Sequence, residues 1–232
     1  MICIFKKQML LPIFLLFICV ISLVVTTKVT LSTSNITTYK ENPKSYNQKF
    51  IIDAGHGGED PGTSDKKGNC EKNLNLDVSL KVGALLSING YDVTYTRTED
   101  KSVDTGEKFN KRQDILNRID IVNSSPNGIL LSFHMNFFPE SKYYGAQVFY
   151  NNYEMAKNLA LDIQNEIYDK IDNSNTRQIK KVPNTVFLFS KSNKPSVLIE
   201  CGFLSNSIEA EKLSQDSYRT ELALAIFNAI IN

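Results

Sequence analysis

The chain has 232 residues, a length that suits one α/β domain with a sizeable core, and its formal net charge is +1 at pH 7. The near-neutral charge provides no broad basic field, which argues against nucleic acid or an anionic membrane surface as a partner. The four cysteines form no CxxC pair, which argues against a zinc ribbon and a thioredoxin-type redox motif.

The N-terminal region has the features of a targeting segment. Lys6 and Lys7 precede an uncharged apolar run at residues 9–25, close to the lower length limit for crossing a bilayer. Because no Ala-x-Ala cleavage site follows, residues 1–27 are interpreted as an uncleaved membrane anchor, with a cleaved signal peptide and a buried core helix as alternatives. Either targeting form keeps the lysines inside and exports the rest of the chain. The polar residues 28–48 are predicted to be a linker.

The predicted catalytic domain covers residues 49–232, and it begins with a short apolar strand at residues 50–52. A glycine-rich turn that contains His56 follows this strand. Apolar residues at helical spacing then predict a helix over residues 69–89. The alternating and β-branched residues at 91–96 predict a second strand.

Strands and helices continue to alternate along the rest of the domain. This alternation predicts an α/β fold, in which one sheet carries helices on both faces. The further predicted strands are 129–133, 146–150, 185–189 and 197–199. The further predicted helices are 107–123, 154–171 and a helical run from a capping box at Asn206 and Glu209 to the C-terminus, with a break at 214–217.

Four residues with metal-binding or acid–base chemistry lie near the ends of these elements. His56, His134 and Glu200 follow predicted strands, and Glu71 lies in the first turn of the predicted helix after the glycine-rich turn. Ligands bind at the carboxyl edge of open α/β sheets, so the four side chains are expected to converge there. Two imidazoles and one carboxylate form a known catalytic zinc set with an open position for water. A further carboxylate beside that water can act as general base and acid.

Each of these residues also has a structural interpretation. Either histidine can be satisfied by a backbone hydrogen bond, and Glu71 suits the positive end of a helix macrodipole. Glu200 follows an apolar strand, where a carboxylate is costly to bury without a partner. The rival carboxylates are Asp53, interpreted as a residue that orients His56, and Asp60, interpreted as part of a turn.

Cysteine is a second rival for the metal, because thiolate is a strong zinc ligand. Cys70 adjoins Glu71, and Cys201 adjoins Glu200. Neighbouring residues point to opposite faces of a strand and diverge by about 100° on a helix, so these cysteines face away if the glutamates face the site. A Cys70–Cys201 disulfide remains an alternative.

Four blocks of sequence surround the candidate residues. They are IIDAGHGGEDPG with His56, EKNLNLDVSL with Glu71, SFHMN with His134 and PSVLIECGFLSN with Glu200. In order and approximate spacing, these blocks resemble the zinc-dependent N-acetylmuramoyl-L-alanine amidases of the Amidase_3 family. The resemblance extends from Phe50 to the C-terminus.

The resemblance implies a fold, a cofactor and a reaction. The fold is a single α/β domain with a mixed, mostly parallel sheet, and the cofactor is one Zn2+ ion. The implied metal ligands are His56, Glu71 and His134, and the implied catalytic residue is Glu200. The implied reaction is hydrolysis, in peptidoglycan, of the amide between the lactyl group of N-acetylmuramic acid and L-alanine of the stem peptide.

Domain organisation narrows the resemblance further. A compact catalytic domain behind one N-terminal segment is more similar to the family members that act in spore germination, which strip peptides from the spore cortex towards muramic-δ-lactam. An exported enzyme that faces the cell wall and touches the membrane only through its N-terminal segment is therefore expected. An activating protein partner is left open. Asn136 and Arg97 are candidate contacts to substrate, with structural roles as the equal alternative.

Two other functions compete with the amidase. One is a zinc peptidase that cuts within the stem peptide, although the absence of HExxH removes the common zincin motif. The other is a non-catalytic, anchored wall-binding or activator protein. The intact set of two histidines and two glutamates argues against this second alternative.

Overall fold

A computed structural model describes residues 48–232 of the chain. The predicted N-terminal segment at residues 1–27, and the predicted linker except for its last residue, lie outside this range. Among residues 48–232, none of the helices has the length and apolar character needed to span a lipid bilayer.

The described residues form six strands, which are β1 (Lys49–Ala54), β2 (Asp92–Tyr95), β3 (Gly128–Asn136), β4 (Gln147–Tyr150), β5 (Lys180–Lys181) and β6 (Ser196–Phe203). They pair into one sheet with the order β2-β1-β3-β6-β4-β5. The first four strands in this order are parallel, whereas β4 runs antiparallel to β6 and parallel to β5. This confirms the predicted mixed, mostly parallel sheet.

Helices cover both faces of the sheet. They are α1 (Glu71–Ile88), α2 (Lys111–Ser124), α3 (Glu154–Lys170), α4 (Phe187–Lys191), α5 (Ser207–Ser214) and α6 (Asp216–Ile231). On one face, α1, α3, α5 and α6 contribute to the larger hydrophobic core. On the other face, α2 and α4 contribute to a smaller core. The predicted α/β class is confirmed.

β1 shows why its sequence is a continuous apolar run. Phe50 and Ile52 belong to the larger core, whereas Ile51 belongs to the smaller core, because successive side chains point to opposite faces. All three are almost fully buried. Burying each such side chain stabilises the fold by about 1.5–3 kcal/mol.

The predicted strand at residues 185–189 is wrong, because this segment enters the short helix α4. Leu188 and Phe189 are neighbours in sequence, yet both are buried in the smaller core. A strand would direct them to opposite faces, whereas one helical turn lets both reach the same core. The turn starts locally, with a hydrogen bond of 3.0 Å from Val186 N to the oxygen of Pro183.

The start of α2 is later than the predicted helix at residues 107–123. The Asn110 side chain accepts hydrogen bonds from the backbone nitrogens of Arg112 and Gln113. This cap sets the first helical residue at Lys111.

The predicted capping box at the start of α5 is half present. Asn206 accepts from the backbone nitrogens of Ile208 and Glu209. The Glu209 carboxylate does not complete the box, because it accepts instead from Gly145 N at 3.0 Å and Phe203 N at 2.8 Å. Glu209 therefore ties α5 to the segments that precede β4 and end β6.

Candidate metal centre and active site

His56 lies in the glycine-rich loop that follows β1. Its φ of 61° lies in the left-handed region, which residues other than glycine adopt rarely. Backbone hydrogen bonds in both directions between Gly57 and Asp60, of 3.0 and 3.1 Å, close the turn. Inside this turn, Asp60 Oδ2 lies 2.8 Å from His56 Nδ1. The second ring nitrogen, Nε2, lies 3.3 Å from Glu71 Oε2.

Glu71 is the first residue of α1, and its side chain is almost fully buried. Its Oε1 lies 3.0 Å from His134 Nδ1 and accepts a hydrogen bond from Met135 N at 3.1 Å. Its Oε2 accepts from Thr63 N at 2.9 Å. Burial alone would raise the pKa of Glu71, but His134 and His56 lower it well below its usual range. Glu71 is therefore a carboxylate at neutral pH.

His134 completes a compact cluster with His56 and Glu71. It lies within β3, two residues before the end of the strand, because this strand is longer than predicted. The two imidazole rings have centroids 5.1 Å apart and an interplanar angle of 75°. One ligand atom from each of the three residues lies within 4.8 Å of the others. The structure thus brings together the three predicted metal ligands.

Glu200 lies beside this cluster, within β6. It is paired with His134 across β3 and β6, so both side chains project from the same face of the sheet. Its Oε2 is buried, and within residues 48–232 no hydrogen-bond partner reaches this oxygen. Burial raises the pKa of Glu200 to about 7, and the charge of Glu71 adds to this, whereas His134 and His56 act in the opposite direction.

The chemistry of these side chains fits a zinc ion. Zinc in catalytic sites accepts two imidazole nitrogens and one carboxylate oxygen as ligands, and these are the donor atoms that the cluster offers. Asp60 holds Nδ1 of His56, as outer carboxylates hold metal-bound histidines, and this leaves Nε2 as the ligating atom. The partnerless oxygen of Glu200 beside the cluster fits a site that keeps room for water.

Asp53 does not hold His56, contrary to the interpretation of its sequence position. Its carboxylate accepts hydrogen bonds from Ser132 Oγ at 2.6 Å, Arg118 Nη1 at 2.7 Å and Thr96 Oγ1 at 2.8 Å. The carboxylate that pairs with His56 is Asp60, which was expected only to form a turn.

Arg118 is a buried residue of α2 that sequence reasoning missed. It bridges Asp53 and Asp114, and its Nη2 donates to the backbone oxygen of His56 at 2.6 Å. A signal was available, because position 118 falls on the apolar helical stripe that also contains Ile115 and Val122. A charged residue on such a stripe requires a buried partner.

Arg97 is also buried, and its contacts support a structural role. Its guanidinium donates to the backbone oxygens of Ala54, Gly55, Lys72 and Glu99 at 2.8–3.0 Å. These bonds tie the loop before His56 to the first turn of α1. The alternative of a substrate contact is not supported by this geometry.

Asn136 lies at the end of β3 and is partly exposed. Its backbone oxygen accepts from Leu204 N at 2.9 Å, which joins the ends of β3 and β6. Asn136 follows His134 by two residues along the chain, and a role of its side chain in substrate binding stays a prediction.

The cysteines of the described domain lie outside the cluster. Cys201 is buried in the larger core, on the face of β6 opposite to Glu200. Cys70 has its Sγ 3.5 Å from Ser64 Oγ. Both thiols are free, so the alternative of a Cys70–Cys201 disulfide is wrong. The alternation of side chains along β6 explains the placement of Cys201.

A cleft of about 230 Å3 adjoins the cluster on the face covered by α2 and α4. Apolar side chains of α4 and polar side chains near the start of α2 form its walls. The lining residues include His56, His134, Glu200, Lys111, Ile115 and Phe187. The candidate catalytic residues are therefore open to a bound substrate.

Comparison with known proteins identifies the family. Residues 50–232 match the Amidase_3 family, described as N-acetylmuramoyl-L-alanine amidase. The "Germination-specific N-acetylmuramoyl-L-alanine amidase" of Bacillus subtilis (strain 168) is 33% identical over 187 residues, which cover 78% of this chain and 78% of that protein.

Solved structures agree with the sequence match. The CwlD amidase from Clostridioides difficile, determined in complex with the GerS lipoprotein, has 39% identity and a TM-score of 0.75, and the match covers 79% of this chain and 96% of that chain. The N-acetylmuramoyl-L-alanine amidase from Clostridium difficile 630 has 30% identity and a TM-score of 0.69, and the match covers 80% of this chain and 95% of that chain. The chain therefore belongs to the Amidase_3 family of N-acetylmuramoyl-L-alanine amidases.

Proposed function

We propose that this amidase works with one zinc ion, held by His56, Glu71 and His134, and that its substrate is the peptidoglycan of the spore cortex. The zinc proposal is supported by the two imidazoles and the carboxylate of these residues. It is also supported by their spacing, because one ligand atom from each lies within 4.8 Å of the others. When bound, zinc supplies Lewis acidity that polarises a carbonyl group and lowers the pKa of water.

The observation that carries the mechanism is the position of the Glu200 carboxylate. It is paired with His134 across the strands, and its buried Oε2 has no hydrogen-bond partner within residues 48–232. A carboxylate in that position can accept a proton from a water molecule between it and the substrate. Asp60 and Glu71 are already engaged with the histidines, so neither is free for this role.

The proposed reaction is hydrolysis of the lactyl amide. The water oxygen bonds to the lactyl carbonyl carbon, and Glu200 takes the proton that the water loses. The carbon–nitrogen bond then breaks, and Glu200 returns the proton to the departing nitrogen of L-alanine. The products are the lactyl carboxylic acid on the glycan and a stem peptide with a free L-alanine amine.

The cortex proposal is supported by the relatives. The B. subtilis relative is named as germination-specific, and the CwlD amidase has a similar structure. Removal of the stem peptide exposes the muramic acid carboxyl group that formation of muramic-δ-lactam requires. This chain is therefore proposed to prepare cortex muramic acids for that second reaction.

Location and partners follow from the same proposal. An enzyme with a peptidoglycan substrate acts where it faces the cell wall, and residues 1–27 are proposed to anchor it there. The CwlD structure contains the GerS lipoprotein, which supports the proposal that this chain also acts with an exported protein partner. Its activity without a partner can be measured directly.

Mass spectrometry of the products tests the proposed function. The full chain, purified in mild detergent and loaded with zinc, is incubated with cortex peptidoglycan and with vegetative peptidoglycan. In the presence of an exported lipoprotein from the same cell, we expect intact stem peptides that begin with L-alanine, released in larger amounts from the cortex and absent with Glu200→Gln.

Other outcomes would contradict specific parts of the proposal. Peptides cut internally would identify a peptidase, and equal release from both substrates would remove the cortex preference. Release by the purified chain alone would show that a partner is not required. Zinc binding without any product, with or without an exported lipoprotein from the same cell, would favour a non-catalytic wall-binding protein.

A further inference from the structure

The connection between β3 and β4 crosses the strand that carries Glu200. In the sheet, β6 lies between β3 and β4, so residues 137–146 have to pass over the carboxyl end of β6. β6 ends at Phe203, three residues beyond Glu200. At about 3.3 Å per residue, the end of β6 lies about 10 Å from the candidate catalytic residue. The next residue, Leu204, donates from its N to the oxygen of Asn136 at 2.9 Å, directly before the connection begins.

This connection carries an exposed group of aromatic side chains, here named the aromatic ledge, that consists of Phe137, Phe138, Tyr143 and Tyr144. Their exposed fractions are 49%, 44%, 36% and 47%. Large aromatic side chains gain free energy from burial, so four exposed ones within eight residues form a candidate binding surface. None of the four lines the cleft between α2 and α4.

The aromatic ledge is held in position by the segment that follows β6. Phe138 N donates to Ser205 Oγ at 3.1 Å, and Asn206 Nδ2 donates to the backbone oxygen of Ser141 at 2.9 Å. Phe138 and Tyr143 pack edge to face, with ring centroids 4.8 Å apart. A ligand that binds a surface ordered in this way loses little free energy to the ordering of side chains.

We propose that the aromatic ledge binds the glycan strand of peptidoglycan while the scissile amide occupies the metal centre. This inference rests on the proposed function, because the lactyl group joins the stem peptide to a polymer that continues in two directions. A polymer of this kind needs an open surface that extends beyond the cleft of about 230 Å3.

The chemistry of the ledge suits a sugar polymer. The C–H faces of pyranose rings pack on aromatic rings and bury apolar surface, while phenol hydroxyl groups and a nearby cation bond to sugar hydroxyls. Tyr143 and Tyr144 supply such hydroxyl groups, and Lys142 Nζ lies 5.3 Å from the centre of the Tyr143 ring. The cleft is then left for the stem peptide.

Fluorescence can test this binding directly, because the chain contains no tryptophan. Phe138→Trp places a single reporter on the aromatic ledge and keeps an aromatic ring there. Ile88→Trp places the matched control at a 78% exposed position at the end of α1. Each full-length variant is titrated in detergent with peptide-free glycan strands of alternating N-acetylglucosamine and N-acetylmuramic acid.

We expect a saturable change in the emission of Phe138→Trp and no change in that of Ile88→Trp. An unchanged Phe138→Trp signal, or an equal response of both variants, would overturn the proposal. A second comparison uses Phe138→Ala/Tyr144→Ala, whose sites are exposed and whose fold is checked by its melting temperature. Its affinity for the same glycan strands, measured by calorimetry, should fall on the order of tenfold.

Wild-type affinity in the double alanine variant would also overturn the proposal, and it would direct attention to a protein partner for this surface. The glycan strands carry no stem peptide, so their binding does not depend on zinc or on turnover. Failure of glycan binding is therefore distinguishable from failure of the amidase reaction, which is measured by the release of L-alanine peptides.

Discussion

His134 on β3 and Glu200 on β6 are paired residues of neighbouring parallel strands. Their side chains therefore leave the sheet on the same face, and the candidate metal ligand and the candidate acid–base residue adjoin one another. A shift of either strand by one residue would turn one of the two side chains into the opposite core. The register between these two strands thus determines whether the site can exist.

Glu200→Gln is expected to abolish turnover and to preserve metal binding. The amide has a similar size, but it cannot accept the proton from water, so the rate should fall by about 100-fold or more. Zinc content by atomic absorption and peptide release by mass spectrometry check the two parts. Glu211→Gln, at an exposed residue that pairs with Lys67, is the control and should retain activity. Wild-type turnover by Glu200→Gln would remove Glu200 from the proposed mechanism.

Asp60→Asn is expected to weaken zinc binding. Asp60 Oδ2 lies 2.8 Å from His56 Nδ1, and loss of such an outer carboxylate costs about 10–100-fold in metal affinity. Competition with a chelator of known affinity measures the change. Asp92→Asn removes an exposed carboxylate that pairs with Lys49 and should leave zinc affinity unchanged. Equal zinc affinity in both variants would contradict a role for Asp60 in holding His56.

Arg118→Met is expected to destabilise the domain strongly. The substitution leaves the buried carboxylates of Asp53 and Asp114 without their cation, which costs about 3–5 kcal/mol in the free energy of unfolding. Denaturant unfolding of the variant measures this cost. Arg112→Met, at an exposed position of the same helix, is the matched control. Adding Asp53→Asn to Arg118→Met should recover part of the loss, and no recovery would argue against the ion pair as its cause.

Asp53 is expected to make stability depend on pH in acid. Burial alone would raise its pKa, but Arg118 and the hydrogen bonds from Ser132 and Thr96 lower it from 3.8 to about 2. Because the folded-state pKa lies below the unfolded value, this stabilisation is present above pH 4 and is lost as the pH falls from about 4 to about 2. The total loss is about 2 kcal/mol.

Urea unfolding of zinc-free protein at several pH values between 5 and 2 measures the effect. Asp53→Asn should remove this part of the pH dependence, whereas Asp120→Asn, at an exposed position of α2, should retain the wild-type curve. A wild-type slope in the Asp53→Asn variant would show that another group is responsible.

Local patterns predicted most of the fold because they act over short distances along the chain. The continuous apolar runs of β1, β3 and β6 indicate strands that are buried on both faces. Their positions along the chain can be read without a structure. The prediction of a strand at residues 185–189 is wrong, because a short apolar run has the same appearance in a strand and in a helix. Its contact with the smaller core decided between the two.

By itself, the sequence singled out the candidate residues for the chemistry. His56, Glu71, His134 and Glu200 stand at the boundaries of predicted elements, where side-chain type and local pattern are sufficient to single them out. Only the tertiary structure decided which groups support them. Asp60, and not Asp53, pairs with His56, and Arg118 holds the oxygen of His56 from a helix 62 residues away. Such pairings depend on how segments that are distant in sequence pack together, and a local sequence pattern does not indicate that packing.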